Sequence, residues 1–470
     1  MREEIAVRYT GKRIHMVGIL GSSMAGLAEM LVREGLQVSG SDSASGYAHK
    51  RLADLGVDVG IGHHPKMVEG AGLLVYSAAI SESDPERVEA ERLQIPQMER
   101  AVMLGEIMAG YRASVCVCGT HGKTTTSSMA AQLLTETGFD PSVHLGGSLD
   151  AIGGSVRSGA GEIFVAEACE FNRSFLHMPV SHALLLNIEE DHLDCYGDME
   201  HVEEAYLAFL ERLPEDGVVI ALGSDERVMR VIGKLKKKQR RILTFGNRPG
   251  CDFTFGSIVY DSLGCASFQA KFQGQQFTEV KLKVPGLYNA LHALAVLAMA
   301  LVLGADMDKA AASLASFSGA HRRLEHTGTI KGMDLYHDYG HNPAEMQAAI
   351  SMLKPRGRRV IAVMQPHTFS RVKTLFGDYL TCTGEADITL VTDIFAAREK
   401  DPGDINSLML VDGMRQHGLS AFSTPGFDDA ERWLLQHGRP DDLVLTMGCG
   451  NINMLNEQMQ RNFEQSTILD

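Results

Sequence analysis

Three α/β domains are predicted, covering residues 1–111, 112–320 and 321–470, and three observations predict them. Apolar β-type runs alternate with helical patterns along the chain, which implies parallel sheets wrapped by helices. The first two blocks each open on a strand that runs into a glycine-bearing turn and a helix. A chain of 470 residues also exceeds what one core supports.

In the first block, residues 14–18 read as a buried strand and residues 24–34 as a helix. Residues 37–40 form a second strand ending at Ser41-Asp42, and residues 73–76 a further one. The second block opens on the apolar strand 114–118, a glycine-rich turn and a helix over 124–137. Its further strands are 163–166, 183–186 and 218–221. The basic stretch 234–241 reads as a solvated helix end rather than a binding patch. Residues 251–284 turn to short strands, and residues 290–303 are helical. The third block begins near His321, and 360–363, 388–391 and 443–446 are its apolar strands. Ligands are expected at the carboxyl ends of strands and between domains.

The composition, 44% hydrophobic and 22% charged, is that of a soluble globular protein. A net charge of −15 argues against a nucleic-acid binder, which needs a basic footprint. The eight cysteines are scattered and show no zinc-type pair of pairs. Cys116 and Cys118 alternate with Val117 and read as buried strand thiols. Reduced cysteines, and a start that lacks an apolar leader, predict a cytoplasmic protein. The longest apolar helix is too short to span a bilayer, so no membrane partner is expected.

The strongest chemical signal is Gly119-Thr120-His121-Gly122-Lys123-Thr124-Thr125. Glycines let the backbone wrap a phosphate, and a helix N-terminus presents free N–H groups to it. Lys123 would reach the β- and γ-phosphates of ATP, and Thr124 would bind Mg²⁺. The strict spacing needs a glycine where Val117 stands, so this loop is a shortened variant. Glu167 and Glu170 follow one strand; residues 187–194, including Asp191 and His192, follow another. Both leave their strands on the side of the phosphate loop, and a carboxylate with an imidazole there could complete a Mg²⁺ site. The opening turn, Gly18 to Gly26, resembles a dinucleotide fingerprint, but Leu20 and Ser23 break its glycine spacing. Asp42 sits where an acidic side chain would meet a ribose hydroxyl. In the third block, polar clusters surround His321-Arg322-Arg323, His337-Asp338-Tyr339-Gly340-His341 and Gln365-Pro366-His367-Thr368-Phe369-Ser370-Arg371. Arginine suits phosphate or carboxylate recognition.

Taken in order, these segments resemble the Mur ligases of peptidoglycan synthesis, specifically the alanine-adding branch. Tyr76-Ser77-Ala78-Ala79-Ile80, Gly286-Leu287-Tyr288-Asn289, Ala396-Ala397-Arg398-Glu399 and Met447-Gly448-Cys449-Gly450 extend the likeness over nearly the whole chain. The resemblance implies a Rossmann-like first domain for UDP-N-acetylmuramate, a central P-loop ATPase domain and a Rossmann-like third domain for L-alanine. ATP would phosphorylate the sugar nucleotide's carboxylate, and the amino acid's amine would then attack the acyl phosphate. It implies catalytic roles for Lys123, His192, Arg323 and Arg371. ATP would meet Gly119 to Thr125 with Asn289 at the adenine, Arg323 at the γ-phosphate and Asp338 at the ribose or the moving domain. Thr124, Glu167 and His192 would hold Mg²⁺. The substrates would meet Gly18, Gly21, Ser22, Asp42, Ser77, Tyr339, His341, His367 and Arg371.

This sequence departs from the family pattern at several points. No lysine follows His192 as far as Leu213, as in the alanine-adding branch. His292 replaces a second adenine-facing asparagine, and Thr368 replaces an arginine of the amino-acid pocket. The aspartates usual after Glu167 are thinned to Cys169, Glu170, Phe171, Asn172 and Arg173. The readings left open are another amino acid or a recycled peptide as acceptor, and a nucleotide-binding paralogue without catalysis. A monomer or homodimer with a hinge near residues 318–322 is expected.

Overall fold

The computed structural model describes residues 8–9, 11–43, 45, 47–190, 193–236, 240–261, 264–397 and 399–469. Its strands gather into three sheets. The chain forms two compact units: residues 1–259 with 266–318 carry the first two sheets, and residues 260–265 with 319–470 carry the third.

The first sheet contains β1 (Arg13–Val17), β2 (Gln37–Asp42), β3 (Asp58–Ile61), β4 (Ala71–Tyr76) and β5 (Gln97–Glu99). Its order is β3-β2-β1-β4-β5, with every pairing parallel. Parallel strands are covered on both faces, which is why Ile14, Met16 and Val17 are all buried. The strand order reverses at β1, so the turn after β1 opens into a crevice between its neighbours.

The second sheet has ten strands: β6 (Ala113–Cys118), β7 (Ser142–Leu149), β8 (Gly154–Arg157), β9 (Ile163–Glu167), β10 (His182–Leu185), β11 (Val218–Leu222), β12 (Arg241–Gly246), β13 (Phe253–Tyr260), β14 (Cys265–Phe272) and β15 (Gln275–Pro285). The order is β15-β14-β13-β12-β11-β10-β6-β9-β7-β8. Pairings from β13 through β7 are parallel, and β8 is antiparallel to β7. In β6 the side chains alternate between two cores: Cys116 and Cys118 join the one shared with the first domain, Val115 and Val117 the other. Burial pushes the Cys116 thiol up to about 12, so it is an inert packing group. All eight cysteines are free.

The strands after Cys251 are longer than expected, at 8, 8 and 11 residues. In β15 Thr278, Val280, Leu282 and Val284 face inward while Glu279, Lys281 and Lys283 face out, the alternation of a half-covered strand. The helix Leu287–Leu303 is apolar on all sides, because the helices Lys123–Glu136 and Met307–Ser316 pack against it. Within the basic stretch, the helix Glu226–Lys234 ends as Leu235 turns into the core. Arg240 donates to the carbonyls of Glu211 and Leu213, and residues 237–239 lie outside the described residues.

The second unit holds β16 (Glu325–Ile330), β17 (Met333–Asp338), β18 (Val360–Met364), β19 (Ile388–Val391), β20 (Ala421–Ser423) and β21 (Leu443–Met447). The order is β16-β17-β21-β18-β19-β20, parallel except for the β16/β17 hairpin. Among the described residues no helix is long and apolar enough to cross a membrane.

Candidate functional site

The loop after β6 is clamped from one side by the segment after β10. The Thr120 N–H donates to Asn187 O (3.2 Å) and the His121 N–H to Asn187 Oδ1 (2.7 Å). Asn187 Nδ2 donates back to His121 O at 3.0 Å, and the Glu189 N–H donates to Thr120 Oγ1 at 2.8 Å. Gly122 closes the loop with φ +81, a left-handed conformation suited to glycine. A Cβ on Gly122 would lie 2.3 Å from His292 Nε2. His292, which stands where the family pattern has a second adenine-facing asparagine, packs against the phosphate loop. Its Nδ1 is buried without a partner, and burial pushes the imidazole down to about 4.

Lys123 opens the helix that follows. Its Nζ donates to Gly119 O (2.7 Å), Thr120 O (2.8 Å) and Glu170 Oε1 (2.9 Å), which uses all three ammonium protons. Burial opposes its charge, but Glu170, Cys169 and Glu167 outweigh burial and hold the pKa above the lysine range. Beside it, Thr124 Oγ1 donates to Glu167 Oε2 at 2.9 Å. Gly146 of β7 also donates its N–H to that oxygen, at 3.0 Å, and a Cβ there would come within 2.5 Å of it. Glycine is thus required for the close approach of β7 to Glu167. The second carboxylate oxygen of Glu170 is buried without a partner. Among the described residues no group of three or more His, Cys, Asp or Glu side chains is placed to hold a metal ion. Asp191 and His192 lie outside the described residues.

At the first turn, the N–H groups of Gly18 and Ile19 donate to Ser41 O at 2.8 and 3.0 Å. Asp42, at the end of β2, accepts the Leu20 N–H on its Oδ2 at 2.9 Å. The turn thus leads into the helix Ser22–Arg33, capped at Gly21, with Ser77 beyond the end of β4. Gly18, Gly21, Asp42 and Ser77 all gather at the carboxyl end of this sheet; the Ser22 side chain lies outside the described atoms. Sequence reasoning missed the clamp on Ser23. Its hydroxyl accepts from Arg100 Nη1 at 2.9 Å, and its carbonyl lies 3.2 Å from His144 Nε2. The apolar run from Val102 hid Arg100, and nothing local marks a contact across 77 residues.

In the second unit the loops after β17, β18, β19 and β21 converge. Asp338 accepts the Leu324 N–H (2.8 Å) and the Gly340 N–H (2.7 Å), pinning the segment that carries Arg322 and Arg323. Both guanidinium groups lie over the Tyr339 ring, at 4.7 and 5.0 Å. Arg322 Nε donates to His337 Nε2 at 3.0 Å, and burial with Arg322 pushes His337 down to about 3. The His341 and His367 rings meet edge to face at 5.8 Å, and His367 stacks on Phe395. Arg371 Nη1 lies 3.2 Å from His367 Nδ1. Arginine can only donate, so that nitrogen is bare; burial, His341 and Arg371 push His367 down to about 4. Thr368 occupies φ +61, a strained position for a β-branched residue. Tyr339, His341, His367 and Arg371 are thus gathered in one place, whereas Asn289 belongs to the first unit and donates to Pro285 O at 2.7 Å. Arg398 lies outside the described residues.

Three family models match in succession. The Mur ligase family catalytic domain covers residues 13–112, the Mur ligase middle domain 117–300, and the Mur ligase glutamate ligase domain 322–450. A UDP-N-acetylmuramate–L-alanine ligase of Caldanaerobacter subterraneus subsp. tengcongensis is 41% identical over 449 residues, covering 95% of this chain and 97% of its own. One from Acetivibrio thermocellus is 39% identical over 459 residues, 97% of each chain. The structure of the UDP-N-acetylmuramate-alanine ligase of Thermotoga maritima matches the fold with a TM-score of 0.83, at 24% identity, covering 97% of this chain and all of that one. A murein peptide ligase from Psychrobacter arcticus matches with a TM-score of 0.73 at 22% identity, over 96% and 98% of the two chains.

Proposed function

This chain belongs to the Mur ligase family, and from that premise we propose that it joins L-alanine to UDP-N-acetylmuramate, with cleavage of ATP, in peptidoglycan precursor synthesis. The observation that carries the reading is the pairing at the phosphate loop. Lys123–Glu170 and Thr124–Glu167 stand side by side at the carboxyl ends of adjacent strands. A carboxylate is a poor electrophile until one oxygen becomes a phosphate leaving group. In the first step an oxygen of the sugar's carboxylate attacks the γ-phosphorus, and the bond to the β-phosphate oxygen breaks to release ADP. In the second, the alanine amine attacks the acyl carbon, loses a proton, and inorganic phosphate departs.

The protein's part is positioning and charge neutralisation. Lys123 steadies the γ-phosphoryl by exchanging one of its protein acceptors for a phosphate oxygen. Arg323 serves the same phosphate, Arg371 takes the carboxylate of alanine, and neutral His367 keeps Arg371 aimed. The oxygens at this site suit a Mg²⁺ ion: Glu170 keeps a buried, unpartnered oxygen, and the Thr124 hydroxyl meets Glu167. Thr124, Glu167 and His192 would hold it, and when bound it would neutralise charge between the phosphates. Asn289 is assigned to the adenine, Asp338 to the ribose or the closing domain, and Gly18, Gly21, Ser22, Asp42, Ser77, Tyr339 and His341 to the substrates. The domain bounds 1–111, 112–320 and 321–470 go with this division of labour, as do a cytoplasmic site of action and a monomer or homodimer.

The test is phosphate release with ATP, Mg²⁺, UDP-N-acetylmuramate and a panel of amino acids and peptides. The expected result is release that needs the sugar nucleotide and prefers L-alanine. No release above the minus-sugar control refutes the reading. Preference for a peptide would favour the alternative that Thr368 raises.

A further inference from the structure

The fingerprint departure at Ser23 coincides with an unusual arginine. Arg100 begins the helix Arg100–Ala109 and is half-buried, and burial lowers the pKa of its guanidinium. Among the described residues no carboxylate lies within ion-pair distance of it; its Nη1 donates to Ser23 Oγ. The neighbouring Glu99 favours its charge only from beyond contact distance, and burial outweighs it; a cation withdrawn from water without a contacting anion is destabilising unless something else completes it. Its surroundings indicate what that is. Ser23 stands in the first turn of the helix Ser22–Arg33, where N–H groups at the helix start favour negative charge. Cys169 supplies no charge, because burial holds its thiol neutral by raising it to about 11. His144 of β7 also contacts Ser23, and burial pushes its imidazole down to about 4, so at neutral pH it is uncharged and does not supply the missing charge. Two residues further along β7, Gly146 binds Glu167. Arg100 therefore lies against the first-domain turn, and β7 links that turn, through His144 and Gly146, to Glu167 of the phosphate-loop site within one compact unit.

We propose that Arg100 is a substrate-binding residue that receives an anionic group of the sugar nucleotide, and that Ser23 is the positioning residue that aims it. This rests on the sugar-nucleotide reading above. The anion is either the diphosphate or the carboxylate that becomes phosphorylated, since both present oxygens that a guanidinium fork binds in two-point fashion. A glycine at position 23 would leave Arg100 without its anchor. The departure from the fingerprint is thus part of the site.

The experiment is calorimetric titration of wild type, Arg100→Lys, Arg100→Ala and Ser23→Gly with two ligands. UDP-N-acetylmuramate carries both anions; UDP-N-acetylglucosamine carries the diphosphate alone. Losing a charge-assisted two-point contact weakens binding by about tenfold or more. If both ligands weaken in the Arg100 variants, the diphosphate is the partner; if UDP-N-acetylmuramate alone weakens, the carboxylate is. Ser23→Gly should give a smaller loss in the same pattern, and the KM for ATP should stay within about twofold in every variant. Melting temperatures show which variants fold, and Arg100→Lys carries the test if Arg100→Ala does not. Folded Arg100 variants that bind both ligands as wild type does overturn the proposal. Wild-type protein that binds neither ligand overturns the sugar-nucleotide reading, and this proposal with it.

Discussion

Replacing Gly122 with alanine tests whether the phosphate loop depends on its packing against His292. The perturbation has two parts. Gly122 sits at φ +81, and an alanine there costs about 1–2 kcal/mol in the left-handed region. Its methyl group would also lie 2.3 Å from His292 Nε2 and 2.5 Å from Cε1. Moving a packed ring aside costs about 1–3 kcal/mol. The two together give about 2–5 kcal/mol against the conformation that binds phosphate. At about 1.4 kcal/mol per tenfold, ATP affinity should fall by about thirtyfold or more if the loop shifts to escape the clash. The assay is calorimetric ATP binding beside thermal unfolding, on Gly122→Ala, His292→Ala and the double variant. The double variant should regain the steric share and keep the left-handed share. A Gly122→Ala protein that binds ATP and melts like wild type would show that the loop does not depend on this packing, as would a double variant no better than Gly122→Ala.

Lys123→Met should abolish phosphate release and also destabilise the protein by about 3–5 kcal/mol, because it leaves the Glu170 charge buried alone. Adding Glu170→Gln should restore most of the melting temperature and none of the activity; a Lys123→Met protein as stable as wild type would contradict this. Acid should weaken the first unit. His144 and His292 are held down to about 4 while the unfolded chain titrates near 6.5, so the unfolded state binds more protons between those values and stability falls as pH drops through them. Melting temperatures that stay flat from pH 7 to 4.5 would refute it. Thr368→Gly should relieve a strained φ, offset in part by glycine's greater freedom when unfolded, and raise stability by about 1 kcal/mol. A lower melting temperature would show that Thr368 is not strained.

Much of the architecture was legible because it is local. The apolar runs of β1, β6, β9 and β10 and the Gly119 to Thr125 turn are contiguous in sequence, and each dictates a strand or a strand–turn–helix by itself. What was illegible depends on contacts between distant residues. Nothing near Asp42 says that the Leu20 N–H occupies its carboxylate, and nothing near His292 says that Gly122 lies beneath it. The pairing of Glu170 with Lys123 and of Glu167 with Thr124 needs β6 and β9 side by side, which sheet order alone decides. Ser23 shows the opposite error: read locally it breaks a motif, and in three dimensions it anchors Arg100.

If ATP activates the carboxylate as an acyl phosphate, an oxygen of that carboxylate must pass to phosphate, and isotope transfer follows it. UDP-N-acetylmuramate labelled with ¹⁸O in its carboxylate is turned over with ATP and L-alanine, and the released phosphate is analysed by mass. An acyl phosphate requires one labelled oxygen to leave with the phosphate when the amine attacks. Released phosphate carrying one ¹⁸O is the predicted result; unlabelled phosphate alongside the amide product would contradict the account.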